Sequence, residues 1–181
     1  MEQKSSSIDN KFKRYFKINT YQIALVLGSL LCSMVAGFLF AYLIVIMPGL
    51  KKLKDKEFIQ AFQVTDRIIQ DNNPLFIFVW LGSAISVIVC AVSGLGNLEG
   101  ANFVILLTAT VAYLIGVQAL TIFINLPLNS QLQDIDIEAM DDEGLRIARE
   151  KFENRWNSAN LVRTIIATLV SVLLILLSLR N

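Results

Sequence analysis

Four stretches of this chain carry no charged side chain: Ile18 to Leu50, Asn72 to Leu98, Gly100 to Gln133 and Thr164 to Leu179. A hydrocarbon core about 30 Å thick is crossed by roughly 20 helical residues, so an uncharged apolar run of about 18 or more marks a spanning helix. Three of the runs exceed that length and the fourth falls just short of it. Strands could span only in a closed barrel, and barrel strands alternate apolar with polar residues. These runs are apolar on every side, as in Leu25-Val26-Leu27 and Leu173-Leu174-Ile175-Leu176-Leu177. The expected fold is an all-α membrane protein, with four transmembrane helices in an antiparallel bundle and amphipathic helical connectors.

Composition narrows the chemistry. A hydrophobic content of 55% is that of a membrane chain, and a net charge of +1 from 16 basic and 15 acidic residues offers no field for nucleic acid. The chain has no histidine. That removes the commonest metal ligand and the commonest general base, so neither a metal nor a cofactor is expected. Cys32 and Cys90 fall inside spans without metal-type spacing and read as small packing residues. The expected partners are membrane lipid and a small apolar or aromatic ligand, with the oligomeric state left open.

The spans are expected at about 21–47, 74–94, 102–126 and 160–179, within one membrane domain covering 21–181. Residues 1–20 form a basic tail, because the first apolar run is too long for a cleavable signal. Pro48-Gly49 closes the first span and Pro74 opens the second. Between them, Phe58, Ile59, Phe62, Ile68 and Ile69 recur at helical spacing, which suits an amphipathic helix on the membrane surface or against the bundle. A second connector, Asp134 to Asn157, is acidic at its start and basic later, as a helix dipole favours, and runs into the fourth span. Small residues recur four apart at Ser29, Ser33, Gly37 and Ala41, and again at Gly82, Ser86, Cys90 and Gly94. Such rows let membrane helices approach closely, so the two are expected to face each other. The basic tail favours a cytoplasmic N-terminus, whereas the raw count of Lys and Arg in the two long connectors favours the reverse. Of the two, the N-terminus is placed inside. Both connectors share one side in either case.

Polar residues collect at one end. The third span finishes on Asn125-Leu126-Pro127-Leu128-Asn129, and the fourth is entered through Phe152, Trp156, Asn160 and Arg163, which share one helix face. The charge-free part of the fourth span covers only about 24 Å, so the crossing must begin near Asn160 and draw Arg163 toward the hydrocarbon edge. An ionisable side chain there costs a few kcal/mol unless paired, and marks a functional site by default. Its expected partners at that depth are Asn125, Asn129, the Tyr42 hydroxyl or Asp66. The alternative is that Arg163 snorkels to headgroups and Trp156 is a belt aromatic.

The same residues carry a family resemblance. Ala36-Gly37-Phe38 leading to Met47-Pro48-Gly49-Leu50, Ala61-Phe62-Gln63, the Asn-x-Pro-x-Asn element, and Phe152 with Arg155-Trp156, Asn160 and Arg163-Thr164 resemble the anthrone-oxygenase-like family of small four-helix membrane proteins. The likeness extends from about Gly28 to Leu179. It implies a four-helix bundle and, in fungal members, oxygenation of polyketide anthrones without an obvious metal or flavin.

Candidate ligand-binding residues are therefore Tyr42, Gln63, Asp66, Asn125, Asn129, Trp156, Asn160 and Arg163. In an enzyme, Arg163 would stabilise an enolate or phenolate oxygen, the asparagines would orient it, and Trp156 or Tyr42 would stack on it. The base would be Asp66, Glu153 or a neighbouring acid. In a non-catalytic protein, the same cluster would satisfy a helix bend, bind a lipid headgroup or meet a partner. An enclosed cavity of about 300 Å³ or more lined by Arg163 and Asn125 would favour the first reading.

Overall fold

The computed structural model describes residues 20–95 and 98–180. Residues 1–19 of the basic tail expected over 1–20, and Gly96-Asn97 of the turn between the second and third spans, lie outside the described residues, and Thr20 begins the first helix. Five helices follow in order: α1 Thr20–Leu50, α2 Asp55–Gln70, α3 Pro74–Gly94, α4 Gly100–Gln133 and α5 Asp142–Arg180. No strand occurs among the described residues. All but α2 are long and apolar enough to cross a bilayer. The protein is a multi-pass membrane protein with an all-α fold.

Helix α1 packs on α3 and α5, and α4 packs on the same two, so α1 and α4 stand diagonally across the bundle. The buried positions of α1 include a row of Tyr21, Leu25, Gly28, Cys32, Val35, Leu39 and Tyr42, flanked by Ala24, Leu31 and Ala36. The spacing of the row alternates four and three, the repeat that keeps one helix face on a left-handed seam. Helix α5 repeats it with Trp156, Asn160, Arg163, Ala167, Val170, Leu174 and Leu177, all buried. Arg163 and Asn160 therefore occupy seam positions that hydrophobic residues fill further along. Apolar side chains off the seams, such as Val26, Leu30, Leu107 and Leu169, are exposed, as a lipid-facing surface requires.

The small-residue expectation is half right. On α3, Ser86, Cys90 and Gly94 are buried. On α1 the close approach is made by Gly28, where an added Cβ would lie 3.6 Å from the Ser86 Cβ and 3.7 Å from Leu174 Cδ1. Gly37 faces open space, with nothing within 4 Å of an added Cβ. Each four-residue step turns a helix by about 40°, so the three steps from Ser29 to Ala41 carry the row off a straight interface. Ser29 and Ser33 donate their hydroxyls to the carbonyls of Leu25 and Ser29.

The connectors close one end of the bundle. Phe58, Ile59 and Phe62 of α2 are fully buried against α5 and the end of α4, whereas Ile68 is exposed and lies off the packed face. Lys56 bridges to Glu138 at 2.8 Å, tying the two connectors together. Arg149 donates to Asp55, to Glu153 and to the carbonyls of Lys51 and Leu53, and its guanidinium lies 4.4 Å over the Phe58 ring. This clamp fixes the turn between α1 and α2.

Candidate functional site

Two prolines shape the site. Pro48 and Pro127 lie inside continuous helices, where the ring clashes with the carbonyl four residues back and one backbone donor is missing. In each helix the turn holding that carbonyl opens into π geometry, Tyr42–Ile46 in α1 and Thr121–Asn125 in α4. The wider turn absorbs the clash, so α4 continues through Pro127 to Gln133 instead of ending near residue 126. Single wide turns of this kind are frequent at functional sites. Here they carry Tyr42, Thr121 and Asn125 into one cavity.

That cavity has a volume of about 130 Å³ and lies between α1, α4 and α5 beneath α2. Tyr42, Asp66, Asn125, Asn129, Trp156, Asn160 and Arg163 all line it. Gln63 does not. Its side chain donates to the carbonyls of Leu132 and Ile135, and its own carbonyl accepts from Gln133, so it ties α2 to the end of α4. The remaining wall is largely aromatic, from Phe38, Phe62, Phe76 and Trp80. The sequence did not mark Phe76 and Trp80, because aromatics near a span end look alike whether they face lipid or interior. The chamber is smaller than the 300 Å³ expected of a whole ligand site, but it shares five lining residues with an outer groove of about 410 Å³.

Arg163 is 3% exposed and points inward. Its Nη1 donates to Thr121 Oγ1 at 2.9 Å and its Nη2 to Asn160 Oδ1 at 3.1 Å. These differ from the partners expected from sequence. The π turn swings Thr121 inward, and Asn160 lies one turn back on the same helix. Among the described residues no carboxylate lies within ion-pair distance of Arg163. Its Nε has no partner, nor has Oδ1 of Asn125, itself 2% exposed. The Asn125 amide is oriented by its Nδ2, which donates to the Trp156 carbonyl at 3.4 Å. The guanidinium carbon lies 5.7 Å from the Trp156 ring centre, which offers weak cation–π support and no neutralising charge.

Asp66 is the one carboxylate lining the chamber. It accepts from Asn129 Nδ2 at 2.7 Å, Gln70 Nε2 at 2.5 Å and Gln133 Nε2 at 3.3 Å. Burial raises its carboxyl above the ordinary value, and the three amides oppose that shift only in part. Trp156 Nε1 donates to Asn129 Oδ1 at 2.8 Å. An indole can only donate and an ionised carboxylate can only accept, so the Asn129 amide has one orientation between them. The chamber thus holds a buried cation without a counter-anion and a separately solvated carboxylate. Among the described residues no three His, Cys, Asp or Glu side chains are grouped to hold a metal.

A family model described as anthrone oxygenase matches residues 68–173. The chain belongs to this family. The matched stretch is shorter than the likeness read from sequence, and it contains Thr121, Asn125, Asn129, Trp156, Asn160 and Arg163 but neither Tyr42 nor Asp66. Curated proteins and solved structures return no match. Membership and the cavity therefore stand as independent observations on the same polar residues.

Proposed function

We propose that the chamber binds an apolar, flat molecule through an acidic oxygen and that the protein oxygenates it. The observation that carries this reading is Arg163, buried with a free Nε donor and no ion pair. A buried cation is costly unless an anion accompanies it, and an enolate or phenolate oxygen would supply that anion from the ligand. Preorganised donors in a dry site favour the developing oxyanion far more than water-exposed ones do. Family membership supports oxygenation as the reaction class.

The chemistry balances with dioxygen as oxidant. Asp66 accepts a proton from the carbon acid, a role that its burial-raised proton affinity favours. Arg163 holds the resulting enolate oxygen while the carbanion form reduces dioxygen by one electron. Recombination gives a hydroperoxide at carbon, and loss of water leaves a ketone. Overall, a CH2 group and O2 become a C=O group and water. With the N-terminus inside, the chamber would open near the outer face, and cysteine accessibility at Lys52 tests that placement.

The test is oxygen uptake by the protein in lipid bilayers across a panel of phenols and activated CH2 compounds under ¹⁸O-labelled dioxygen. Uptake that places the label in the product carbonyl and is lost in Arg163→Met supports the reading. Equal uptake by wild type and Arg163→Met across the panel contradicts it.

A further inference from the structure

The chamber and the outer groove together specify a ligand of two parts. A cavity near 150 Å³ holds one benzene-sized ring, so about 130 Å³ admits a single ring, and anything larger must extend into the adjoining groove. At its lip stand Phe38, Tyr42, Ile69, Phe76 and Trp80, and the same five residues line the groove of about 410 Å³. The groove continues along the seam between α1 and α3 over Met34, Val35, Leu75 and Val79, with the end of α2 above it. Met34 and Tyr42 lie eight residues apart on α1, so the groove follows the span for about 12 Å. Met34 is exposed in the middle of the first span, so the inner end of the groove faces lipid, while Thr65 and Asn73 line its other end beside the connector.

The polar atoms inside are as informative as the volume. Arg163 Nε needs an acceptor and Asn125 Oδ1 needs a donor, and both residues line the chamber. A ligand edge with an acceptor oxygen beside a hydroxyl satisfies both at once, as the monoanion of a catechol or an ortho-hydroxy ketone does.

Resting on the oxyanion site proposed above, we infer that the ligand is a membrane-resident amphiphile: a single acidic phenolic ring seated on Arg163, with an aliphatic tail lying in the α1–α3 groove. It reaches the chamber sideways from the bilayer, past the aromatic lip, without crossing the connectors. The tail holds the ring at the chamber and matches the apolar groove, while the ring oxygens supply the charge that Arg163 lacks.

The experiment uses the full chain in nanodiscs and three probes: catechol, 4-decylcatechol and 1,8-dihydroxyanthrone. Both tryptophans of the chain, Trp80 and Trp156, line the chamber, so absorption-corrected quenching of intrinsic fluorescence reads occupancy directly. Val79→Phe narrows the groove outside the chamber, and Met34→Phe does so from the exposed side should the first variant fold poorly. The expected result is that either variant weakens 4-decylcatechol about tenfold, a loss of about 1.4 kcal/mol, and leaves catechol unchanged. Arg163→Met should abolish the binding of both. Equal effects of the groove variants on both catechols overturn the tail assignment. If 1,8-dihydroxyanthrone binds in an Arg163-dependent way and 4-decylcatechol does not, the ring-and-tail assignment falls and the oxyanion site stands. If no probe distinguishes wild type from Arg163→Met, both fall.

Discussion

Replacing Arg163 with methionine should remove the ligand while costing the empty protein only about 1–2 kcal/mol. Arginine inside a spanning helix costs about 2.5–3.5 kcal/mol on insertion-derived scales, and here no carboxylate offsets that cost. The substitution also removes two hydrogen bonds from a charged donor, to Thr121 Oγ1 and Asn160 Oδ1, worth about 1.5–3 kcal/mol each. Both partners keep another bond, since Thr121 donates to the Val117 carbonyl and Asn160 to the Leu39 carbonyl. Methionine fills much of the space of the aliphatic stem. The difference is a loss of about 1.5 kcal/mol, because relief of the buried charge offsets most of the two bonds. Titration of the protein from mixed micelles into SDS, followed by far-ultraviolet circular dichroism, measures it without relying on the tryptophans beside the site. A loss of about 3 kcal/mol or more would refute the reasoning, because it would make Arg163 a satisfied structural element of the kind whose removal strands its partners.

Other expectations follow from single features. Gly28→Leu should cost about 1–3 kcal/mol in the same assay and Gly37→Leu close to nothing, because only Gly28 faces Ser86 and Leu174 closely; equal effects would mean that the α1 seam is misplaced. Arg149→Ala should free the turn from Lys51 to Leu53 and speed tryptic cleavage there, whereas Arg155→Ala, at an exposed position, should not; matching cleavage rates would show that the clamp is idle. Asp66 binds its proton more tightly in the folded protein than at its ordinary value of 3.8, so the folded state carries a penalty at neutral pH. That penalty is relieved as the pH falls through the raised value and becomes constant below the unfolded one. Wild type should therefore gain stability relative to Asp66→Asn on acidification, and a relative loss would reverse the sign of the argument.

Much of the bundle was legible because the bilayer allows few alternatives. Charge-free runs give spans, and Trp156, Asn160 and Arg163 fall at seam spacing, so their shared face could be read from the sequence before the chamber was seen. The π turns could not be placed in the same way. Pro48 suggested an end to the first helix and Pro127 stood at the expected end of the third, whereas a packed bundle can hold a helix together around proline by widening one turn. That widening supplies Thr121 to Arg163 in place of the partners expected. Arg149 illustrates the converse. It lies on a charged connector, yet the fold buries most of its side chain between the α1–α2 turn, α2 and α5. Gln63 sits one residue past buried Phe62, and that step turns it from the chamber to the α4 carbonyls.

The most direct measurement is the ionisation of a phenol bound in the chamber. A nitrophenol reports its own protonation by visible absorption, and a cation within a few ångströms lowers such a pKa by about 1–3 units. Bound to wild type in nanodiscs, 4-nitrocatechol should ionise at least about one unit below its value in free solution, and with Arg163→Met, which does not hold it, it should titrate as in free solution. An unshifted or raised pKa in wild type, or the same value in both proteins, would contradict the assignment of Arg163 as the partner of a ligand oxyanion.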